Sequence, residues 1–333
     1  MKDLKALIEK IVTAYGPTGS ENHVAELITK EIEPYVDSIR IDPLGNLIAV
    51  KKAEGPKVML AAHMDEIGIM VTHIDDKGFL RFAPLGGINP NVLLGTRCVF
   101  ANGTRGVYGS ERLNPGESLT LAKMYIDIGA KDKEDAAQKV KIGDSAGADY
   151  PMVDLGDRLV SKAMDDRIAC VILIETIKQL KNPKVESHFV FTVQEEVGLR
   201  GARTSAYSVD PDYGIAIDVT RTGDTPKGIT MDVSLGEGPT VKVRDSSILC
   251  HPKMIAFMKE VAEKEEIPYQ LEILEAGGTD SGAIHLTRSG VPSGVMSIAC
   301  RYIHTPSEMI DINDVTNGIK LMTKILESEF PKI

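Results

Sequence analysis

Two adjacent carboxylates, Glu195 and Glu196, end an apolar run, Ser187-His-Phe-Val-Phe-Thr-Val-Gln-Glu-Glu-Val-Gly198. The β-branched and aromatic content of Phe189 to Val193 reads as a buried strand, and Gly198 punctuates it. In open α/β sheets ligands gather beyond the carboxyl ends of the strands. Two glutamates there repel each other and cost desolvation unless a cation or a proton is shared between them. A lone Glu-Glu pair at a strand end ordinarily faces solvent, but here the pattern recurs. Val58-Met-Leu-Ala-Ala62 runs into His63 and Asp65, Tyr213-Gly-Ile-Ala-Ile217 into Asp218, and Val295-Met-Ser-Ile-Ala-Cys300 leads to His304. If the four runs are neighbouring strands, two imidazoles and several carboxylates converge, which is the donor set of a metal site. Ligands spread over about 240 positions suit a catalytic centre assembled by the fold, not a structural zinc knuckle. Adjacent strand residues face opposite ways, so Glu195 and Glu196 share one site only if the strand ends or bulges there.

The elements that must position these residues follow from periodicity. Leu4, Leu7, Ile8, Ile11 and Val12 predict a helix ended by Gly16-Pro17, and a second helix starts at Ser20 as N-cap and runs to Pro34. Strands are expected at Val36 to Ile41 and Asn46 to Val50, joined by a turn at Asp42-Pro-Leu-Gly45. From Ile67 to about Arg158 short β runs are broken by Gly-, Pro- and Asn-rich turns, with one helix near Lys133 to Val140. This is the texture of a compact β domain, 68–158, inserted into an α/β domain made of 1–67 and 159–333. The insert has no His after His73, so its expected role is to shape a cleft or hold a partner subunit. The α/β pattern resumes with a helix from Ile168 to Leu180, apolar on nearly all sides, preceded by Asp165 and Asp166. Helices are also expected at Gly198 to Ser208, at 252–266 and at Ile312 to Phe330, with a strand at Tyr269 to Leu274. Cys250-His251 precedes Pro252 at a helix start, where capping explains it. Asp280, in the loop Gly277-Gly-Thr-Asp-Ser-Gly282, reads either as a helix N-terminal acid or as a substrate contact.

The 333 residues carry 38 basic and 48 acidic side chains, a formal charge of −10, which argues against nucleic acid or an anionic membrane surface as partner. No apolar run approaches the ~18 residues of a membrane span, and the amino terminus is amphipathic and unlike a secretion signal, so the expected location is cytoplasmic. Four cysteines, Cys98, Cys170, Cys250 and Cys300, are far apart and read as buried thiols.

Six segments together resemble the TET-type (glutamyl or deblocking) aminopeptidases, a family of dinuclear metallopeptidases. They are Ala62-His-Met-Asp-Glu-Ile-Gly68, Asp127-Ile-Gly-Ala130 with Gly143-Asp144, Lys162-Ala-Met-Asp-Asp-Arg167, Val193-Gln-Glu-Glu-Val-Gly198, Gly278-Thr-Asp280 and Arg301-Tyr-Ile-His-Thr-Pro-Ser-Glu308. The resemblance spans nearly the whole chain, but Gly106-Val-Tyr-Gly-Ser-Glu-Arg-Leu-Asn114 lacks a Pro- and His-containing segment of that family. It implies a mixed, largely parallel central sheet flanked by helices, as in zinc exopeptidases, with an inserted β-barrel-like domain used for dimerisation. It also implies two divalent ions per subunit, bridged by Asp165, one taking His63 and Asp218 and the other Glu196 and His304. A hydroxide shared between the ions would attack the first peptide bond, with Glu195 as general base and Asp65 orienting His63 from behind. Peptides are the implied substrates, and dimers would assemble into a tetrahedral dodecamer. An oxygen and nitrogen donor set without thiolate fits zinc, cobalt or manganese. Two rivals remain at this level: an endoglucanase-type glycoside hydrolase using paired carboxylates, and a catalytically idle metal-binding assembly protein on the same fold. The absence of Trp and an aromatic content of 5% speak against the first, and retention of Glu195 beside a full ligand set against the second.

Overall fold

A computed structural model describes residues 2–333, so Met1, which opens the amino-terminal pattern, lies outside it. The apolar stripe of α1 (Lys2–Val12) packs with that of α2 (Asn22–Ile32) into the main core. Ser20 does not cap α2. The cap position is Glu21, whose carboxylate accepts from the Gly19 and Gln194 N–H groups, while the Ser20 hydroxyl pairs with Ser145. A hairpin of β1 (Ser38–Ile41) and β2 (Leu47–Lys51) turns where Asp42 Oδ1 accepts from three successive N–H groups, Leu44 to Asn46. Then comes β3 (Lys57–His63).

Six strands follow and close a barrel: β4 (Gly68–Ile74), β5 (Leu80–Leu85), β6 (Arg97–Phe100), β7 (Arg105–Ser110), β8 (Met124–Asp127) and β9 (Ser145–Ala148). Their order is β4-β5-β8-β7-β6-β9, around a core of Ile69, Val71, Leu80, Phe100, Met124 and Ile126 that is separate from the main one. Closure removes free edges, which suits strands as short as four residues. Beyond the barrel, β10 (Val153–Asp154) and β11 (Arg158–Ser161) belong to a small three-stranded sheet.

The second half carries a largely buried helix, α3 (Met164–Gln179), with β12 (Glu186–Thr192), α4 (Arg200–Val209), β13 (Tyr213–Thr220), β14 (Thr240–Arg244), α5 (Pro252–Lys264), β15 (Gln270–Ile273), β16 (Ser293–Ala299), β17 (Glu308–Asp311) and α6 (Ile312–Leu326). An eight-stranded mixed sheet runs β1-β2-β12-β3-β13-β16-β14-β15. Its centre, β12-β3-β13-β16, is wholly parallel and consists of the four apolar runs that end in ligand-type residues. Val58, Leu60 and Ala62 of β3 point into the core shared with α3, and Met59 and Ala61 into a second layer with α4, so the run must be apolar on both faces. Strands β14 and β17 are not anticipated by periodicity. A buried lysine, Lys242, interrupts β14, ion-paired with Asp245 at 3.1 Å and with Glu272 at 3.0 Å. No described helix is long and apolar enough to cross a membrane.

Candidate metal centre

Parallel pairing brings the strand ends level: Thr192 of β12 lies opposite His63 of β3, and Asp218 of β13 opposite Ser297 of β16. The chain leaves β12 at Thr192, and Gln194 adopts a positive φ of 55°. The next two residues are thereby freed from strand alternation, and Glu195 and Glu196 border the same cavity.

His63 is buried, with Nε2 3.1 Å from Asp165 Oδ1 and 3.8 Å from Glu195 Oε2. The other oxygen of Asp165 lies 3.3 Å from His304 Nε2, which is also 3.2 Å from Glu196 Oε2. One carboxylate thus faces two imidazoles, one from each oxygen. Asp165 is not a helix cap: its φ of −77° and ψ of 107° are extended, turning it out of the first turn of α3. Candidate ligand atoms of His63, Glu195 and Asp218 lie within 4.8 Å of one another, as do those of His63, Asp165 and Glu196. Asp166 turns away, accepting instead from the His63 N–H at 3.3 Å.

Asp65 lies beside His63 through both its main-chain oxygen and its carboxylate. His63 Nδ1 is nearer the Asp65 main-chain oxygen, at 3.0 Å, than its carboxylate, at 3.5 Å. The carboxylate accepts from the N–H groups of Glu195 at 3.0 Å and Glu196 at 3.3 Å, and from the Thr18 hydroxyl. It holds the segment bearing both glutamates. Asp280 is the further acid that the sequence singles out. It is buried, accepts from the Thr192 hydroxyl at 2.5 Å and borders neither cavity of the site. Burial pushes its acid up to about 6.

The electrostatics are those of a site short of positive charge. Burial, together with the neighbouring carboxylate of Asp165, pushes Asp218 and Glu196 up, and burial does the same to Glu195. Burial alone would lower the two imidazoles, yet Glu195 and Asp165 hold His63 well above its usual range, and Asp165 and Glu196 hold His304 up to about 11. Glu196 Oε1 is buried without a hydrogen-bond partner. A buried, unpartnered carboxylate oxygen among like charges is what a bound cation satisfies. The donors therefore fit divalent metal, through oxygen and imidazole nitrogen alone. Cys170 and Cys300 are buried thiols pushed up by burial, and neither borders the cavity.

The centre opens into a cavity of about 330 Å³ walled by Leu199, Arg221, Leu274, Gly277, Gly278 and Ile303. An apolar cleft against the barrel, with Ile67, Ile88, Val92, Leu93 and Tyr108, meets it at Asp165, Glu196 and His304. The barrel loop reaches the candidate ligand His304, since a Cβ on Gly87 would lie 3.0 Å from its Nδ1. Sequence reasoning passed over three supports. Arg301 forms a two-pronged pair with Asp224 at 2.9 and 2.7 Å, Lys242 pairs with Glu272, which accepts from the Thr220 hydroxyl at the end of β13, and Glu308 accepts from main-chain N–H groups at the site. Glu308 and Arg301 flank His304 within one quoted segment, which was the available signal.

Comparison with known proteins matches residues 45–321 to the M42 glutamyl aminopeptidase family. A relative from Acetivibrio thermocellus, named only as a candidate aminopeptidase, is 51% identical over 98% of this chain and 99% of its own. An aminopeptidase structure from the archaeon Desulfurococcus kamchatkensis superposes with a TM-score of 0.95 at 38% identity, covering 99% of this chain and 96% of that one. The TET1 peptidase of Pyrococcus horikoshii, described as assembling into a tetrahedron or a large octahedral shell, gives 0.89 at 32% identity over 97% and 99%. A Thermotoga maritima structure described as an endoglucanase gives 0.82 at 31% identity over 96% of each chain.

Proposed function

The chain belongs to the M42 glutamyl aminopeptidase family and is an aminopeptidase, and on that premise we propose that His63, Asp165, Glu196, Asp218 and His304 hold two divalent cations, with Glu195 as general base. His63, Asp165 and Asp218 hold one ion, and Asp165, Glu196 and His304 the other. When bound, the ions supply the acidity that ionises water near neutral pH and the pull that polarises the scissile carbonyl. Glu195 takes the proton at its carboxylate and returns it to the leaving amine. Asp65 keeps Glu195 and Glu196 at their posts through their N–H groups. The carboxylate-rich floor favours the ammonium of a peptide's first residue, and the apolar walls exclude bulk water. Zinc, cobalt or manganese satisfies this donor set.

Residues 1–67 and 159–333 form the catalytic unit in this reading, and 68–158 shapes the cleft and pairs subunits. A tetrahedral dodecamer follows by analogy with the Pyrococcus horikoshii peptidase.

The observation that carries the reading is Asp165 facing His63 and His304 through opposite oxygens. Its test is a panel of aminoacyl p-nitroanilides assayed after chelation and again after reloading with Zn2+, Co2+ or Mn2+. Turnover lost with the metal and restored by it is the expected result. Turnover indifferent to chelation, or cleavage of glucans in its place, contradicts it.

A further inference from the structure

Glu308 opens β17 and is 2% exposed. Its backbone is fixed by pairing with Ser161 of β11, which leaves the side chain little freedom. One carboxylate oxygen accepts from the Asp165 N–H at 2.9 Å and the other from the His304 N–H at 2.8 Å. These two residues come from distant segments, and their side chains face each other at 3.3 Å. Both N–H groups lie at sites where no regular element supplies an acceptor, because Asp165 has left helical geometry and His304 sits at φ 63°. The loop is also strained for non-glycine residues at Tyr302, φ 62°, so it holds its shape only if something over-determines it. Arg301 does so at one end through Asp224, and Glu308 at the other.

We propose that Glu308 is a positioning residue that sets the spacing of Asp165 and His304 and thereby creates the cation position shared by Asp165, Glu196 and His304. The inference rests on the two-ion reading above. Its consequence is asymmetric: the other position, with His63 and Asp218, has two ligands that Glu308 does not touch. Removing the carboxylate weakens one ion selectively.

The experiment is stepwise titration of chelated protein with Zn2+, and with Co2+ followed by its d–d absorption, on wild type, Glu308→Ala, Glu308→Gln and His304→Ala. The glutamine variant keeps the shape but can accept at only one atom. Wild type should take two equivalents. Both Glu308 variants should bind the first within a few-fold of wild type and the second ~10- to 100-fold more weakly, matching the loss in His304→Ala. Activity at limiting metal should fall with the second equivalent and recover in part as metal is raised. Should Glu308→Ala fail to fold, Glu308→Asp, which keeps the charge but cannot span both N–H groups, takes its place. Two equivalents at wild-type affinity in the glutamine and alanine or aspartate variants overturn the proposal, as does an equal loss of both. If wild type itself takes fewer than two ions, the two-ion reading fails first, whatever Glu308 does.

Discussion

The barrel and the strand ends of the central sheet spend their buried residues in opposite ways. The barrel core is hydrocarbon with Cys98 and the Tyr108 ring. At the sheet end, by contrast, Asp65, Asp165, Asp166, Asp218, Asp280 and Glu308 are all buried within one region. A barrel built from transfer free energy needs nothing more to stand. A nest of buried acids is costly by itself and needs N–H donors, imidazoles or cations to offset it. The difference sets a region held by packing apart from one held by polar and charged partners.

The comparison sharpens most with Glu195→Gln, which removes a proton acceptor and no ligand. Turnover should fall ~10²- to 10⁴-fold while metal content by mass spectrometry stays at the wild-type level. Unchanged turnover would remove Glu195 from the mechanism. On the barrel side, Leu80→Ala empties fully buried space and should cost ~2–5 kcal/mol in a denaturant titration, with zinc stoichiometry of the folded fraction unaltered. Metal loss at full occupancy of the fold would mean that the two regions are not separable as argued.

Acidity probes the sheet end alone. In the metal-free protein His304 holds its proton up to about 11 and His63 well above its usual range, so binding an ion must expel protons. Affinity should therefore rise as pH is raised through neutrality and fall on acidification, with proton release visible by calorimetry in buffers of different ionisation enthalpy. A pH-independent affinity would contradict the assignment of both histidines. The smallest effect joins the two regions. Gly87→Ala brings a methyl to 3.0 Å from the His304 ring and should weaken metal about tenfold with little change in melting, because the barrel loop reaches His304 there.

What was legible beforehand follows the same division. The parallel strands β12, β3, β13 and β16 are buried on both faces, so their sequences are unbroken apolar runs whose ends announce themselves. The barrel's first four strands are readable from turns at Asp75, Asn89 and Asn102. Strand β14 was hidden because Lys242 satisfies its charge with Glu272, a partner thirty residues on, and local hydropathy cannot show such a pairing. Asp65 was assigned to His63 because they are neighbours in sequence. The fold also gives its carboxylate the N–H groups of Glu195 and Glu196, 130 and 131 residues away, which sequence neighbourhood cannot show. Ser20 failed as a cap for a similar reason, its hydroxyl being taken by Ser145 of the barrel. Supports made through main-chain N–H groups leave no residue pattern, which is why Glu308 could be quoted without its part being seen.

The most direct test is to locate the metal. Anomalous scattering at the zinc edge from crystals reloaded with Zn2+ should show two peaks per chain flanking the Asp165 carboxylate, one beside His63 and Asp218 and one beside Glu196 and His304. Peaks elsewhere, or none beside Asp165 in a preparation that hydrolyses peptides, would contradict the account.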